Sequence, residues 1–440
     1  MLKIRLLLVL GCAALVGSCG GGDGPSGGTN PVSLFSGVFA PTVTVTPVNP
    51  SGPFAAALAD CAYSATRSVS CTFGDLPLLG QSQTVLSVDD VMNRVVVSHN
   101  WMGQRFREVL EALPQEAVQL FQGVTAIVIA SDIIPSFYFR ATAAIYLDPR
   151  FLWLTLGELA TINDEQDFRT GFGEDLAFTA PWRLLDNGVQ IIRGADPNGG
   201  SGSTPTARML DDIRLPLAYL LLHELAHAND FLPPQVQGGL RNDLPVLDVV
   251  NSFVGQRVSD QLTASFPLLS NIWFDLAAVK FLGEQATAAQ MAFTPQFVGD
   301  TFKMDGAAMP YAFTTQFEDL ATLFDELMLL YLFDVIRDNA ITDKPAVPSS
   351  NDNDYIVAWG QRSRIKDALV KQRALFVEER LLPNLDLNAY IAGLDDPIEM
   401  RIGEGWLDNL VLGPVPATAE LMFGPAKQPP VVEFGPGHVR

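Results

Sequence analysis

Apolar and polar positions divide the chain into segments with different periods. Over residues 87–100 the apolar positions of VMNRVVVSH suit a short helix or a strand, and residues 103–121, GQRFREVLEALPQEAVQLF, carry helical spacing that Pro114 interrupts. TAIVIAS, residues 125–131, and AIYLD, residues 144–148, read as two strands separated by Pro135 and an aromatic run. The first of them is continuously apolar, as expected for a buried strand. Residues 157–200 are polar and become Gly-rich toward the exposed loop NGGSGSTPT. Residues 207–230 predict a long apolar helix, with Asp211 and Asp212 near its start and Pro233 and Pro234 beyond its end. Further helical patterns cover 271–284, 316–338 and 361–382, with the loop KPAVPSSNDND at 344–354 between the last two. No solenoid or propeller period is present.

The first apolar run, LLLVLGCAALV at residues 6–16, follows Lys3 and Arg5 and precedes the small residues Gly17 and Ser18. That is the layout of a targeting segment, too short to span a bilayer. VGSC, residues 16–19, resembles the lipobox of bacterial lipoproteins. The resemblance implies a signal peptide over 1–18, lipidation of Cys19 as the first mature residue, and membrane attachment in the cell envelope through several acyl chains. Gly20 stands where many lipoproteins held at the inner membrane carry aspartate, which points to the outer membrane, facing the periplasm or the surface. Residues 19–55 are rich in Gly and Pro and read as a flexible tether, with an edge strand formed by VTVTPV at 43–48 as the alternative. No later segment reaches the roughly eighteen uncharged apolar residues of a membrane helix.

Charge narrows the function. Lys plus Arg number 28 against 49 Asp plus Glu, a net charge of −21 that becomes −23 once the two basic residues Lys3 and Arg5 leave. This excludes the electrostatic footprint of a nucleic-acid binder and argues against adsorption to anionic lipid by charge alone. At 440 residues and 48% hydrophobic, the chain can bury one large core or several ordinary ones. Of its four cysteines, Cys12 leaves with the signal peptide and Cys19 takes lipid. Cys61 and Cys71, ten residues apart in an exported chain, are most simply one disulfide, and no CxxC-type ligands lie near them for a zinc site.

The long helix contains LLLHELAHAND, with His223, Glu224 and His227 in the HExxH arrangement. A spacing of four residues stacks both imidazoles on one helix face, close enough to share a metal, and leaves Glu224 within reach of a metal-bound water. With four histidines in the chain, chance gives on the order of 0.004 copies of this pattern even if any acid is allowed at the second place. Zinc held by three protein ligands keeps a fourth position for water, whose pKa it lowers toward about 7. The remaining histidines, His99 in VVVSHNW and His438 near the end, read as solvated or hydrogen-bonded residues. The third ligand is therefore sought among carboxylates of a downstream helix, with Glu318, Asp319, Glu284 and Glu326 as candidates. Asp230 either orients one of the imidazoles from behind or caps the helix end.

HELAHAND followed by Tyr311, Glu318, Ala321 and Phe324 resembles the catalytic pattern of gluzincin metallopeptidases of the anthrax-lethal-factor type. The resemblance implies that Glu318 is the third zinc ligand, that Ala321 allows close helix approach beneath the metal, and that Tyr311 points at the oxyanion. Two departures stand out: 90 residues separate His227 from Glu318, implying an insertion at about 231–310, and Thr322 stands where thermolysin-like relatives place an aspartate behind the metal ligands.

The expected fold is α+β and mostly helical, with a small mixed sheet packed on the active-site helix and, as the resemblance implies, a zincin-like catalytic core. Residues 56–205 would form an α+β part, 206–342 the catalytic helices with their insertion, and 355–440 a helical extension ending in a coil tail from Gly413. The expected function is membrane-anchored, zinc-dependent hydrolysis of peptide bonds in a peptide or protein substrate, with Glu224 as the base. AIYLD resembles the sheet edge along which such enzymes take an extended peptide. A catalytically inactive lipoprotein of the same fold, binding or organising a partner in the envelope, is the alternative.

Overall fold

Short runs of β-branched and aromatic residues build the first of two sheets. The computed structural model describes residues 43–62, 71–194, 205–347, 349 and 351–412, and the backbone of 438 and 439. The signal segment, Cys19, the first part of the tether and the tail from Gly413 up to 437 lie outside the described residues.

The first sheet contains β1 (Thr46–Pro47), β2 (Val95–Val97), β3 (Ile127–Ile129), β4 (Phe137–Phe139), β5 (Ala144–Leu147) and a final pair of residues, His438–Val439, in the spatial order β1, β2, β3, β5, β4, 438–439. β2, β3 and β5 run parallel, and β1 and β4 run antiparallel to their neighbours, so the sheet is mixed. The helix Asn100–Glu111 connects β2 to β3 and buries Phe106, Val109 and Leu110, the crossover that parallel strands require. The tether thus ends in an edge strand at Thr46–Pro47, which pairs with Val96 and Val97. Cys61 and Cys71 form the disulfide.

Two expectations for this sheet are corrected. The aromatic run at 137–139 is itself a strand rather than a separator. AIYLD is not an edge: Ala144–Leu147 lies between β3 and β4 with all four residues buried. A run of four apolar residues has the same local pattern at the centre of a sheet as at its rim, and pairing partners decide which it becomes. The outer side of β4 pairs in parallel with the backbone of 438–439, where the sequence suggested only coil.

The second sheet is antiparallel, in the order 398–399, β10 (Val357–Arg362), β9 (Ile336–Asp343), β7 (Trp182–Asp186), β8 (Gln190–Ile191), with β6 (Phe178–Thr179) also on β9. It takes strands from the polar 157–200 stretch, and its two long strands overlap the ends of the segments read as helical, at 336–338 and 361–362. Those helices are shorter, Gln316–Phe333 and Ala368–Leu381. Asp334 takes a left-handed conformation at φ 53° and turns the chain into β9, and Asp367 caps the later helix after β10 has ended.

The long helix spans Leu210–Phe231; its start is capped by Asp212, whose carboxylate accepts the Met209 N–H at 2.7 Å, and it stops before Pro233. From Leu215 to Phe231 every residue is buried, so this is a central helix, apolar on all sides except where it carries its ionisable residues. Helix Gln316–Phe333 packs along it, with Leu320, Ala321, Leu323, Phe324 and Leu327 in the same core. The 231–310 stretch is helical, and its apolar residues divide between two cores: Val249, Val250, Val258 and Leu262 join the main one, while Trp273, Leu276, Val279 and Phe302 build a second one against Phe178 and Trp359. No described helix is long and apolar enough to cross a membrane.

Trp273 is the centre of the second core. Its ring lies 5.1 Å from Phe302 and 5.8 Å from Phe313, and its indole N–H donates to the Val298 carbonyl at 3.2 Å. Trp273→Ala is expected to destabilise the protein by about 3–5 kcal/mol in urea unfolding; a loss below about 1 kcal/mol would mean that this cluster contributes little to the fold.

Candidate metal centre

His223 and His227 sit one turn apart on the central helix and are fully buried. Glu318 comes from the first turn of helix Gln316–Phe333, where Thr315 caps the end by accepting the Glu318 N–H at 3.2 Å. Because the two helices pack face to face, Glu318 Oε2 lies 2.9 Å from His223 Nε2 and 3.5 Å from His227 Nε2, and the two Nε2 atoms are 3.1 Å apart. Three donors bound tetrahedrally at the Zn–N and Zn–O distances of about 2.0–2.1 Å stand roughly 3.3 Å from one another. The triangle therefore has the dimensions of one tetrahedral face, and the donor set, two imidazoles and a carboxylate, suits zinc. Among the described residues this is the one group of His, Cys, Asp and Glu gathered closely enough to hold a metal ion.

The groups behind the triangle fix it in place. Asp325, seven residues and two turns beyond Glu318, lies 2.9 Å from His223 Nδ1 through Oδ2, and its other oxygen accepts from Arg337 on β9. Arg337 also reaches Glu326 at 3.3 Å. A carboxylate on the far nitrogen orients an imidazole and selects the tautomer that offers Nε2 to a metal.

Asp230 does not take that place. Its Oδ1 accepts the Ser259 N–H at 2.7 Å, at the start of helix Val258–Ser265, so it caps a different helix and touches neither imidazole. The other ligand candidates are elsewhere: Asp319 is clasped by Arg373, Glu326 accepts the Ile365 N–H at 3.0 Å, and Glu284 is exposed. His99 precedes helix Asn100–Glu111 and contacts Ser98 Oγ at 2.9 Å.

Glu224 is fully buried beside the triangle, and neither of its oxygens makes a full hydrogen bond. The Tyr138 backbone N–H on β4 faces the carboxylate and favours its charge, but burial dominates and raises its pKa to about 8. A buried carboxylate with both oxygens unsatisfied is costly unless it serves a partner that comes and goes. Tyr311 is buried in the short turn Pro310–Phe313 just before the Glu318 helix, edge-on to Phe281 at 5.1 Å. Burial and the charges of Glu318 and Glu224 hold its phenol protonated well above its ordinary range. Ala321 is fully buried between the helices.

Sequence reasoning missed Asp325, Arg337 and Arg169. Asp325 had a signal, since i+7 on a helix returns to the face of Glu318. Arg169, held by Asp167 at 2.9 Å, acts electrostatically on both Glu224 and Tyr311 from a Gly-rich segment that carries no local sign of burial. Compared with family models, with curated proteins and with solved structures, the chain finds no match.

Two outcomes follow from this geometry. Asp325→Ala should weaken zinc binding roughly 10–100-fold in competition with a chromogenic chelator; unchanged affinity would remove Asp325 from the site. The second concerns protons. Burial works to lower the His223 pKa, but the hydrogen bonds and charges of Asp325 and Glu318 outweigh it and raise the value from 6.5 to about 10. A raised folded-state pKa stabilises the metal-free protein below 6.5, and that contribution is lost as pH climbs through about 10. Glu224, raised by burial from 4.5 to about 8, acts in the same direction over its own window. The melting temperature of chelator-treated protein should therefore fall with rising pH. Zinc binding near about pH 7 should release a proton from His223, seen by calorimetry in buffers of different ionisation enthalpy; zero release would contradict the protonated imidazole.

Proposed function

We propose that this chain is a membrane-tethered, zinc-dependent metallopeptidase of the gluzincin kind, with a zincin-like core, acting on peptides or proteins in the cell envelope. The observation that carries this reading is the convergence of His223 Nε2, His227 Nε2 and Glu318 Oε2 within 3.5 Å of one another, beside a buried Glu224 neither of whose oxygens makes a full hydrogen bond. His223, His227 and Glu318 would hold the ion. The chemistry supplied by bound zinc is Lewis acidity, which makes nearby water a better acid and a scissile carbonyl a better electrophile.

The chain's own residues do the rest. Glu224 accepts a proton from the attacking water at its carboxylate and passes it to the departing amine. Tyr311, kept protonated, donates a hydrogen bond to the oxyanion that develops on the carbonyl. Asp325 and Arg337 hold the His223 ring in register, and Arg169 adds positive potential near Glu224 and Tyr311.

One observation favours the other reading, a binding or organising lipoprotein without activity: His223 is already satisfied at both ring nitrogens by Asp325 and Glu318. Variants separate the two. Glu224→Gln should retain near-stoichiometric zinc while kcat on a peptide mixture falls roughly 10²–10⁴-fold, and Tyr311→Phe should lower kcat about 10²–10³-fold with KM little changed. Hydrolysis retained in Glu224→Gln would discard the mechanism, and wild-type protein that binds no zinc would favour the second reading.

A further inference from the structure

Arg257 precedes helix Val258–Ser265, and its guanidinium lies over Phe231, 4.5 Å from the ring centroid, and 5.5 Å from that of Phe317. The residue is 4% exposed, yet its Nε and Nη2 make no hydrogen bond. These two nitrogens form one edge of the guanidinium, with parallel N–H groups spaced to grip both oxygens of a carboxylate. The chain uses that same edge on Asp148 from Arg150, on Asp167 from Arg169, on Asp243 from Arg241 and on Asp338 from Arg362. In Arg257 it is buried and empty.

The acids around Arg257 do not fill it. Asp230 and Asp260 supply negative potential and Arg140 opposes it. Asp260 is spent on the N–H groups of Gly255 and Arg257 and on Gln316, and Asp230 caps Ser259 through Oδ1, while its buried Oδ2 makes no hydrogen bond to Arg257 or to any other group. The buried hydroxyl of Tyr138, whose ring stacks on Phe231 at 5.8 Å, is also without a partner.

The position relative to the metal centre gives this edge its meaning. Phe231 lies one turn past His227, roughly 6 Å along the helix axis. Phe317 is the neighbour of Glu318, and the backbone N–H of Tyr138 faces Glu224. Burying a cation without a hydrogen-bonded counter-ion is unfavourable, so the arrangement makes physical sense with an anion that arrives from outside.

We propose that Arg257, assisted by the Tyr138 hydroxyl, is a receptor for a carboxylate of the bound peptide, which makes this a hydrolase selective for anionic substrates. The inference rests on the peptidase reading for the identity of the ligand. The carboxylate belongs either to an Asp or Glu side chain near the scissile bond or to the peptide's C-terminus. Arg257 is a specificity-determining residue with no part in the bond-breaking step.

The test uses the full chain loaded with zinc and a random decapeptide library made in two forms, with free and with amidated C-termini. Peptides retained by immobilised Glu224→Gln protein, and products released by the wild type, are sequenced by mass spectrometry. The expected result is acidic residues enriched at one fixed position, if the source is a side chain, or retention of the free-acid library alone, if it is the terminus. Arg257→Gln in the same backgrounds should reduce that enrichment roughly 10–100-fold. Tyr138→Phe, which keeps the ring on Phe231, should reduce it less. Enrichment on the Glu224→Gln protein without any wild-type cleavage would sink the hydrolase reading and leave the carboxylate receptor standing. Binding or cleavage without acidic preference, or a preference unchanged in a folded Arg257→Gln protein, would overturn the receptor.

Discussion

Two helices packed face to face bury six ionisable groups against one another, and the rest of the molecule is arranged to make that tolerable. His223, Glu224 and His227 on one helix meet Glu318 and Asp325 on the other, and Arg337 arrives from the strand that follows. Charges removed from water are costly unless each finds a partner of opposite sign or a metal. Glu318 shows the outcome: burial alone would raise its pKa, but the adjoining imidazoles of His227 and His223 hold it well below the ordinary carboxylate range. Such a network is maintained by geometry. A small relative slide of the two helices would leave several buried charges without partners at once.

The apolar framework supplies that geometry. The central helix is surrounded by the first sheet, by the Glu318 helix and by the early helices of the 231–310 stretch, so its position is fixed on several sides. β4 crosses the Glu224 face, and Tyr138 brings a backbone N–H toward the carboxylate and a ring onto Phe231. The strand that flanks the centre is thus also the strand that helps to frame the empty Arg257 edge. The long separation between His227 and Glu318 is bridged by helices that contribute Asp230's partner Ser259, and Arg257 just before it, whose guanidinium lies over Phe231 one turn past His227.

What the sequence disclosed followed the range of the interactions. His223, Glu224 and His227 were legible because helix periodicity alone sets their mutual distance, whereas the pattern left several downstream carboxylates as alternatives and only the resemblance singled out Glu318. Asp325 lies on the same helix face as Glu318, two turns beyond it, while the intervening i+4 position holds the uncharged Thr322. Asp230 looked equally suited to orienting an imidazole, and only the placement of Ser259 drew it away. The second sheet was not legible because the ends of its long strands merge with helical patterns at 336–338 and 361–362, and the left-handed residues Asp334 and Ser363 that mark the boundaries are of types able to take either conformation. Arg257 and Arg169 had no local signature at all, since burial by distant segments is what gives them their roles.

The most direct measurement of the central claim is X-ray absorption at the zinc edge on the purified full chain, together with its metal content. One ion per chain with two imidazole nitrogens and a carboxylate oxygen at about 2.0–2.2 Å is the predicted result. A chain that takes up no zinc, or zinc whose coordination survives replacement of both His223 and Glu318 by alanine, would contradict it.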